Sequence, residues 1–226
     1  MSNRCIIAID GPAGAGKTTL SKELSDYFKI NLVNTGKFYR TIAVALEEKG
    51  LGAESAKDII KDLDVTARWV NKSNQIMLLN GNVVEDSKLT TKKISKMASD
   101  LSAQREVREW LLDKQRESVK NEKAILEGRD IGTVVFPDAE LKIYLTANPL
   151  IRAYRRYKDL VIKDANATPE AVFNDLITRD YNDSHREYAP LKVAEGAIIV
   201  DTSEMGYREA YYTLIGIIDS RVGSLL

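Results

Sequence analysis

The sequence predicts an α/β fold: a central parallel sheet flanked by helices, with a small antiparallel insert of strands and helix. Three observations predict it. Short apolar runs at 5–10, 30–34, 123–127, 140–146 and 197–201 alternate with longer helical patterns, as βαβ units do. A glycine-rich loop separates the first apolar run from the first helical stretch. In the middle, LDVTARWVNKSNQIMLLNGNVVED carries β-branched runs separated by the turn-like NKSN and NGN, which reads as a hairpin unit.

The elements follow in order. After the strand at 5–10, Gly11, Gly16, Lys17 and Thr18 fit G-x-x-x-x-G-K-[ST], with a strand before and a helix after, as that phosphate-binding motif requires. Gly11, Pro12, Ala13, Gly14, Ala15 and Gly16 would form a backbone cradle for an anion, and Pro12 is tolerated there because no N–H is needed from it. The helix that opens with Lys17, Thr18 and Thr19 adds its positive dipole end. Lys17 would reach the β/γ-phosphates and the Thr18 hydroxyl would hold Mg²⁺. Helices are expected at 17–28, 36–49 (stopped by Gly50), 103–121, 149–163, 169–182 and 206–221. The insert extends through the helical patch TTKKISKMAS, giving segments 1–59, 60–100 and 101–226, with a lid at about 150–166 inside the last.

Composition narrows the classes. The 33 basic and 33 acidic residues cancel, so no global field draws the chain to nucleic acid or a membrane surface. The first apolar stretch is too short for a signal peptide, and no later one reaches spanning length. The single cysteine, Cys5, excludes an internal disulfide framework and suits a reducing compartment, so a cytoplasmic protein is expected. The guanine-reading segment N-K-x-D is missing, since NKSN at 71–74 lacks the acid.

Three further clusters bear on chemistry. Arg152, Arg155 and Arg156 fall at i, i+3 and i+4, so they crowd one helix face. Either they close over a polyphosphate as a lid, or they form a solvated face with Asp159 as partner. Arg179, Asp183 and Arg186, at i, i+4 and i+7, form a basic–acidic–basic stripe that reads as an ion-pair ladder or as part of a site. In ILEGRDIGTVVF a strand ends at Glu127 and is followed by Gly128, Arg129 and Asp130, at the carboxyl edge of a parallel sheet where α/β proteins bind ligands. An acid there can hold Mg²⁺ directly or through water. His185, the only histidine, lies off these faces.

Together, IAIDGPAGAGKTT, NTGKFYR, LEGRDIGTVVFPDAELKIYLTA, RDYNDSHREYAPL and IIVDTS resemble the bacterial cytidylate kinases, in order along nearly the whole chain. The resemblance implies a P-loop nucleoside-monophosphate kinase with a core, a mobile lid and an enlarged nucleotide-binding insert. It implies transfer of the γ-phosphoryl group of ATP to CMP or dCMP with Mg²⁺, by an enzyme expected to be a monomer. Carried over by motif, Arg40 and Arg129 would hold the acceptor phosphate, while Thr35, Arg108, Asp130 and Arg186 would surround the cytosine. Arg179 and Asp183 would meet the sugar hydroxyls with Ser99 from the insert. Arg152, Arg155 and Arg156 would serve the lid. Cytosine offers an N4 amino donor where uracil offers an O4 acceptor, so a carboxylate such as Asp130 discriminates between them.

Two positions depart from the family pattern. Asn34-Thr35-Gly36 stands where the family usually has an aspartate first, and Lys37 replaces a commonly small residue; Lys37 is expected to be solvated. The alternatives to cytidylate phosphorylation are another small-molecule P-loop kinase, acting on UMP, shikimate or gluconate, and a non-catalytic nucleotide switch.

Overall fold

The computed structural model describes residues 4–162 and 164–226. The chain begins with β1 (Cys5–Asp10), α1 (Lys17–Phe28), β2 (Asn31–Asn34), α2 (Gly36–Glu48) and the single turn α3 (Ala56–Ile59). The insert follows as β3 (Val65–Asn71), β4 (Asn74–Leu79), β5 (Asn82–Val84), α4 (Asp86–Leu89) and α5 (Lys92–Ser102). Then come α6 (Arg105–Glu117), β6 (Lys123–Gly128), β7 (Leu141–Thr146), α7 (Pro149–Val161), α8 (Pro169–His185), β8 (Ile198–Asp201) and α9 (Tyr207–Val222).

Among the described residues the central sheet has five strands, all parallel, in the order β2-β6-β1-β7-β8. β1 is central and wholly buried, and its alternation divides the core in two. Ile6 and Ala8 pack toward α2, α5 and α6 with Phe38, Ile42 and Leu111. Ile7 and Ile9 pack toward α1 and α9 with Leu24, Leu214 and Ile218. The carboxyl ends of β1, β2 and β6 therefore meet at one edge, and the glycine-rich loop leaves that edge between β1 and α1.

The antiparallel insert has the order β3-β4-β5, closed by turns at Lys72–Ser73 and Asn80–Gly81. It covers the exposed edge of β2: Leu32 N–H donates to Lys72 O (2.8 Å), and Trp69 Nε1 donates to Leu32 O (2.7 Å). An edge strand whose backbone groups are so occupied cannot recruit another chain. The same contacts fix the insert alongside β2.

The α/β class, parallel core and antiparallel insert are those predicted, while several boundaries differ. The helix expected at 103–121 is shorter, while the helical patch expected in TTKKISKMAS is α5, capped by Thr91 through Ile94 N–H (3.2 Å) and running on to Ser102. Residues 53–62 form short helical turns that periodicity did not reveal. α8 runs to His185, past the expected 182. α7 and α8 each start with a capping side chain, Asn148 or Thr168, followed by proline at the first position. Position 163, expected to end the first of these, lies outside the described residues. Among the described residues no helix is long and apolar enough to cross a membrane.

Candidate active site

The phosphate loop is held from behind. Ala13 N–H donates to Asp180 Oδ1 (3.0 Å), and Arg152 donates from Nη1 to both Ala13 O (2.8 Å) and Asp180 Oδ2 (2.5 Å). Gly14, at φ 71°, is closely packed: a Cβ there would lie 3.0 Å from Arg152 O and 3.2 Å from Leu176 Cδ1, so a neighbour would have to give way. This corrects the expectation for Arg152. Its guanidinium is buried against the loop and Ala147 O and does not share the cleft face of Arg155 and Arg156, because the carboxylate and carbonyls on that side satisfy its donors. α1 begins at Lys17 with no side-chain cap, so its first amides remain for an anion.

Lys17 is buried, with Nζ donating to Gly11 O and Pro12 O (both 2.7 Å). Burial pulls its ammonium well below the usual lysine range, Arg129 and Arg179 add to that, and Glu127 and Asp10 oppose it. Burial conversely pushes the Glu127 carboxyl up, against the pull of Lys17 and the Thr18 hydrogen bond. Thr18 Oγ1 donates to Glu127 Oε2 (3.0 Å) and Asn34 Nδ2 donates to Glu127 Oε1 (2.7 Å). A hydroxyl and a carboxylate beside a phosphate loop are the hard oxygen donors that suit Mg²⁺, with phosphate oxygens and waters completing the shell. Among the described residues no cluster of three or more His, Cys, Asp or Glu could hold a metal unaided.

Beyond the loop, guanidinium groups converge on a cleft of about 560 Å³ lined by residues of the phosphate loop, the insert and α8. Burial lowers the Arg179 pKa to about 10, and Arg129, Arg40 and Arg156 push in the same direction, with Asp183 opposing. Arg40 is likewise lowered by burial, then by Arg156 and Arg129. Cations that depress one another in a closed space are stabilised by an anion that enters it. Arg179 Nε is buried with no hydrogen-bond partner. Arg40 is aimed by the insert, donating to Leu89 O (2.6 Å) and Ser95 Oγ (2.7 Å).

At the far wall Arg108 Nη2 donates to Asp130 Oδ2, and Arg186 Nη2 lies 3.6 Å from Asp130 Oδ1. Arg129 Nε donates to Asp183 Oδ2 (2.8 Å). Burial pushes the Asp183 carboxyl up, but Arg129, with Arg179 and Arg186 beyond, holds it below the usual range. The expected helical stripe is corrected here: α8 ends at His185, and Arg186, in extended conformation, reaches Asp130 and Asp183 from the loop that follows. Thr35 Oγ1 donates to the Glu127 carbonyl (2.8 Å) at the cleft wall, and Ser99 lines the cleft from α5. Arg155 sits at the opposite end, donating to Thr202 Oγ1 (3.0 Å) and Thr202 O (2.7 Å), and Arg156 lines the cleft between them. Lys37 is not a free solvated side chain but a part-buried, paired one. It bridges α2 to the insert through Gln75 O and Asp86 Oδ1 (both 2.8 Å). His185 is exposed and stacks on Tyr181.

Sequence reasoning missed Asp10, Asp180, Tyr39, and the end of the cleft formed by Thr202, Met205 and Tyr207. Asp180 had a signal, being an acid beside Arg179 in a segment already singled out. Asp10, the polar end of an apolar strand, had a weaker one.

Residues 7–220 match the family model described as cytidylate kinase. A protein of Thermosipho melanesiensis named cytidylate kinase is 40% identical over 220 residues, covering 96% of this chain and 98% of the relative. One of the same name from Clostridium perfringens is 40% identical over 206 residues, covering 91% of this chain and 94% of the relative. One from Fervidobacterium nodosum is 39% identical over 219 residues, covering 96% and 97%.

Proposed function

The chain belongs to the cytidylate kinase family, and from that premise we propose that it transfers the γ-phosphoryl group of ATP to CMP or dCMP, giving ADP and CDP or dCDP. The observation that carries the assignment of sites is a single cleft with a phosphate loop at one end and Asp130, flanked by Arg108 and Arg186, at the other. The loop and Lys17 receive the donor polyphosphate. Thr18 and Glu127 hold Mg²⁺, which when bound neutralises and orients the donor phosphate oxygens. Arg40 and Arg129 take the acceptor phosphate, and Arg179 and Asp183, with Ser99, meet the sugar. Asp130 accepts from the cytosine N4 amino group, while Arg108 and Arg186 donate to the base's acceptor edge. The unit 60–100 serves as the nucleotide-binding insert and about 150–166 as the lid, in a cytoplasmic monomer that acts on small nucleotides and does not bind nucleic acid.

No general base is needed, because the attacking phosphate oxygen is already anionic. The reaction depends on positioning and on neutralising a loose, highly charged transition state. Closure of the lid and insert excludes water, which would otherwise compete as acceptor.

A panel of acceptors with ADP production coupled to a spectroscopic readout tests the reading. CMP and dCMP are expected to turn over, UMP to be much poorer, and shikimate and gluconate to be inert; an untouched CMP would overturn it. Asp130→Ala is expected to cut the CMP-over-UMP ratio of kcat/KM by about tenfold or more, the value of a matched base contact of about 1–3 kcal/mol. Arg156→Ala should lower kcat by about a hundredfold, as loss of one transition-state donor does, with a much smaller change in the KM for ATP. An unchanged kcat would return Arg156 to the role of surface charge.

A further inference from the structure

Asp10 ends the central strand β1 and immediately precedes Gly11, the first glycine of the phosphate loop. Its side chain is buried and does not line the cleft. Oδ1 accepts from Ile131 N–H and Oδ2 from Gly132 N–H, both at 2.8 Å. Those amides begin the π-helical turn Ile131–Val135, whose wide bonds run from Val135 N–H to Asp130 O (3.1 Å) and from Phe136 N–H to Ile131 O (2.7 Å). The opening amides of a helical turn have no partner within it, so Asp10 supplies one from another strand. The residue just before the pinned pair is Asp130.

A buried carboxylate is costly, and an apolar residue would continue the strand more cheaply. What the carboxylate adds is a two-point fastening of the backbone that carries Arg129 and Asp130. We infer that Asp10 is a positioning residue for base selection: by gripping Ile131 and Gly132 it aims the Asp130 carboxylate and ties it to the loop that holds the donor. This inference rests on the assignment of Asp130 as the reader of the cytosine amino group.

The surroundings of Asp10 make the fastening sensitive to protonation. Burial raises its pKa to about 6; the two amides oppose that, Asp130 on the same loop adds to it, and Lys17 on α1 opposes it. β7 presents the Tyr144 phenol, and β6 presents Gly128 in register. Above that pH both oxygens accept. Below it one oxygen carries a proton and opposes an N–H, so the grip falls to one point. Asp10→Asn imitates the protonated acid, since its amide nitrogen faces one of the two N–H groups and cannot accept.

The test is the CMP-to-UMP ratio of kcat/KM for wild type, Asp10→Asn and Asp130→Ala between about pH 5 and about pH 8, where ordinary carboxylates stay largely ionised. Titration of the nucleotide phosphates is common to both acceptors and cancels in the ratio. The wild-type ratio is expected to fall about tenfold toward acid, the worth of one hydrogen bond to a charged group. Asp10→Asn is expected to hold that low ratio at every pH, with the KM for ATP within about twofold of wild type. A ratio in Asp10→Asn that matches wild type, or that still falls with acid, overturns the inference; so does a flat wild-type ratio, which needs no variant to fold. If instead Asp130→Ala keeps the full preference for CMP, it is the reading of Asp130 that fails.

Discussion

Replacing Lys17 by methionine is expected to lower kcat by about a thousandfold, or roughly 4 kcal/mol of transition-state stabilisation. The ammonium is buried at the base of the phosphate loop and held by the Gly11 and Pro12 carbonyls. Arg129 and Arg179 repel it and burial removes its hydration, so its charged form is disfavoured until an anion arrives. A polyphosphate reverses that balance, and most strongly when charge shifts during transfer. Steady-state kinetics with saturating nucleotides measure the loss, and a fall of less than tenfold would remove Lys17 from the reaction. Methionine preserves the apolar stem and takes a repelled charge out of the interior. It also leaves the Gly11 and Pro12 carbonyls without that donor, so the melting temperature of the variant without nucleotide is measured beside its kinetics, which separates lost chemistry from lost structure.

Gly11→Ala is expected to be the most damaging single-carbon change to stability, costing about 3–5 kcal/mol from combined backbone strain and overpacking. Gly11 has φ 150°, and a Cβ built there would lie 1.9 Å from Leu145 O and 3.0 Å from Leu145 C. Those atoms belong to β7, which pairs with β1 at the centre of the sheet, so relief requires two core strands to part. A domain with a typical 5–15 kcal/mol of stability would lose a large fraction of it. Gly196→Ala provides the control, because φ is 74° there but a Cβ would meet nothing within 4 Å. It should cost only about 1–2 kcal/mol. Urea unfolding of the two variants compares steric conflict with conformational strain, and equal midpoints would show that the approach to Leu145 is not limiting.

Much of the molecule was legible because its signals are local. The phosphate loop is a run of consecutive residues, and the strand–loop–helix context lies on either side of it. The insert was marked by NKSN and NGN, whose turns close the hairpins. Asn148-Pro149 and Thr168-Pro169 start α7 and α8. What failed had the opposite character. Helical spacing put Arg152, Arg155 and Arg156 on one side of α7, but Arg152 meets Ala13 and Asp180 while Arg155 meets Thr202. Periodicity describes a face and not what packs against it. Arg186 was placed on a helix that had already ended, and it joined Asp130 and Asp183 all the same, from an extended segment. Lys37 reads as solvated because a lysine in the first turn of a helix ordinarily faces water; its partners, Gln75 and Asp86, belong to the insert.

The sequence by itself determined the α/β class, the phosphate loop, the antiparallel insert and the order of the charged segments along the chain. Those depend on backbone propensities, turns and caps set within a few residues. Only the tertiary structure decided which arginine clamps the loop, which ones repel one another across the cleft, and that Asp10 grips the turn beside Asp130, partners more than a hundred residues apart. Burial and charge pairing arise when distant segments close on each other. A side chain's partner is then set by the path of the whole chain and not by its neighbours in sequence.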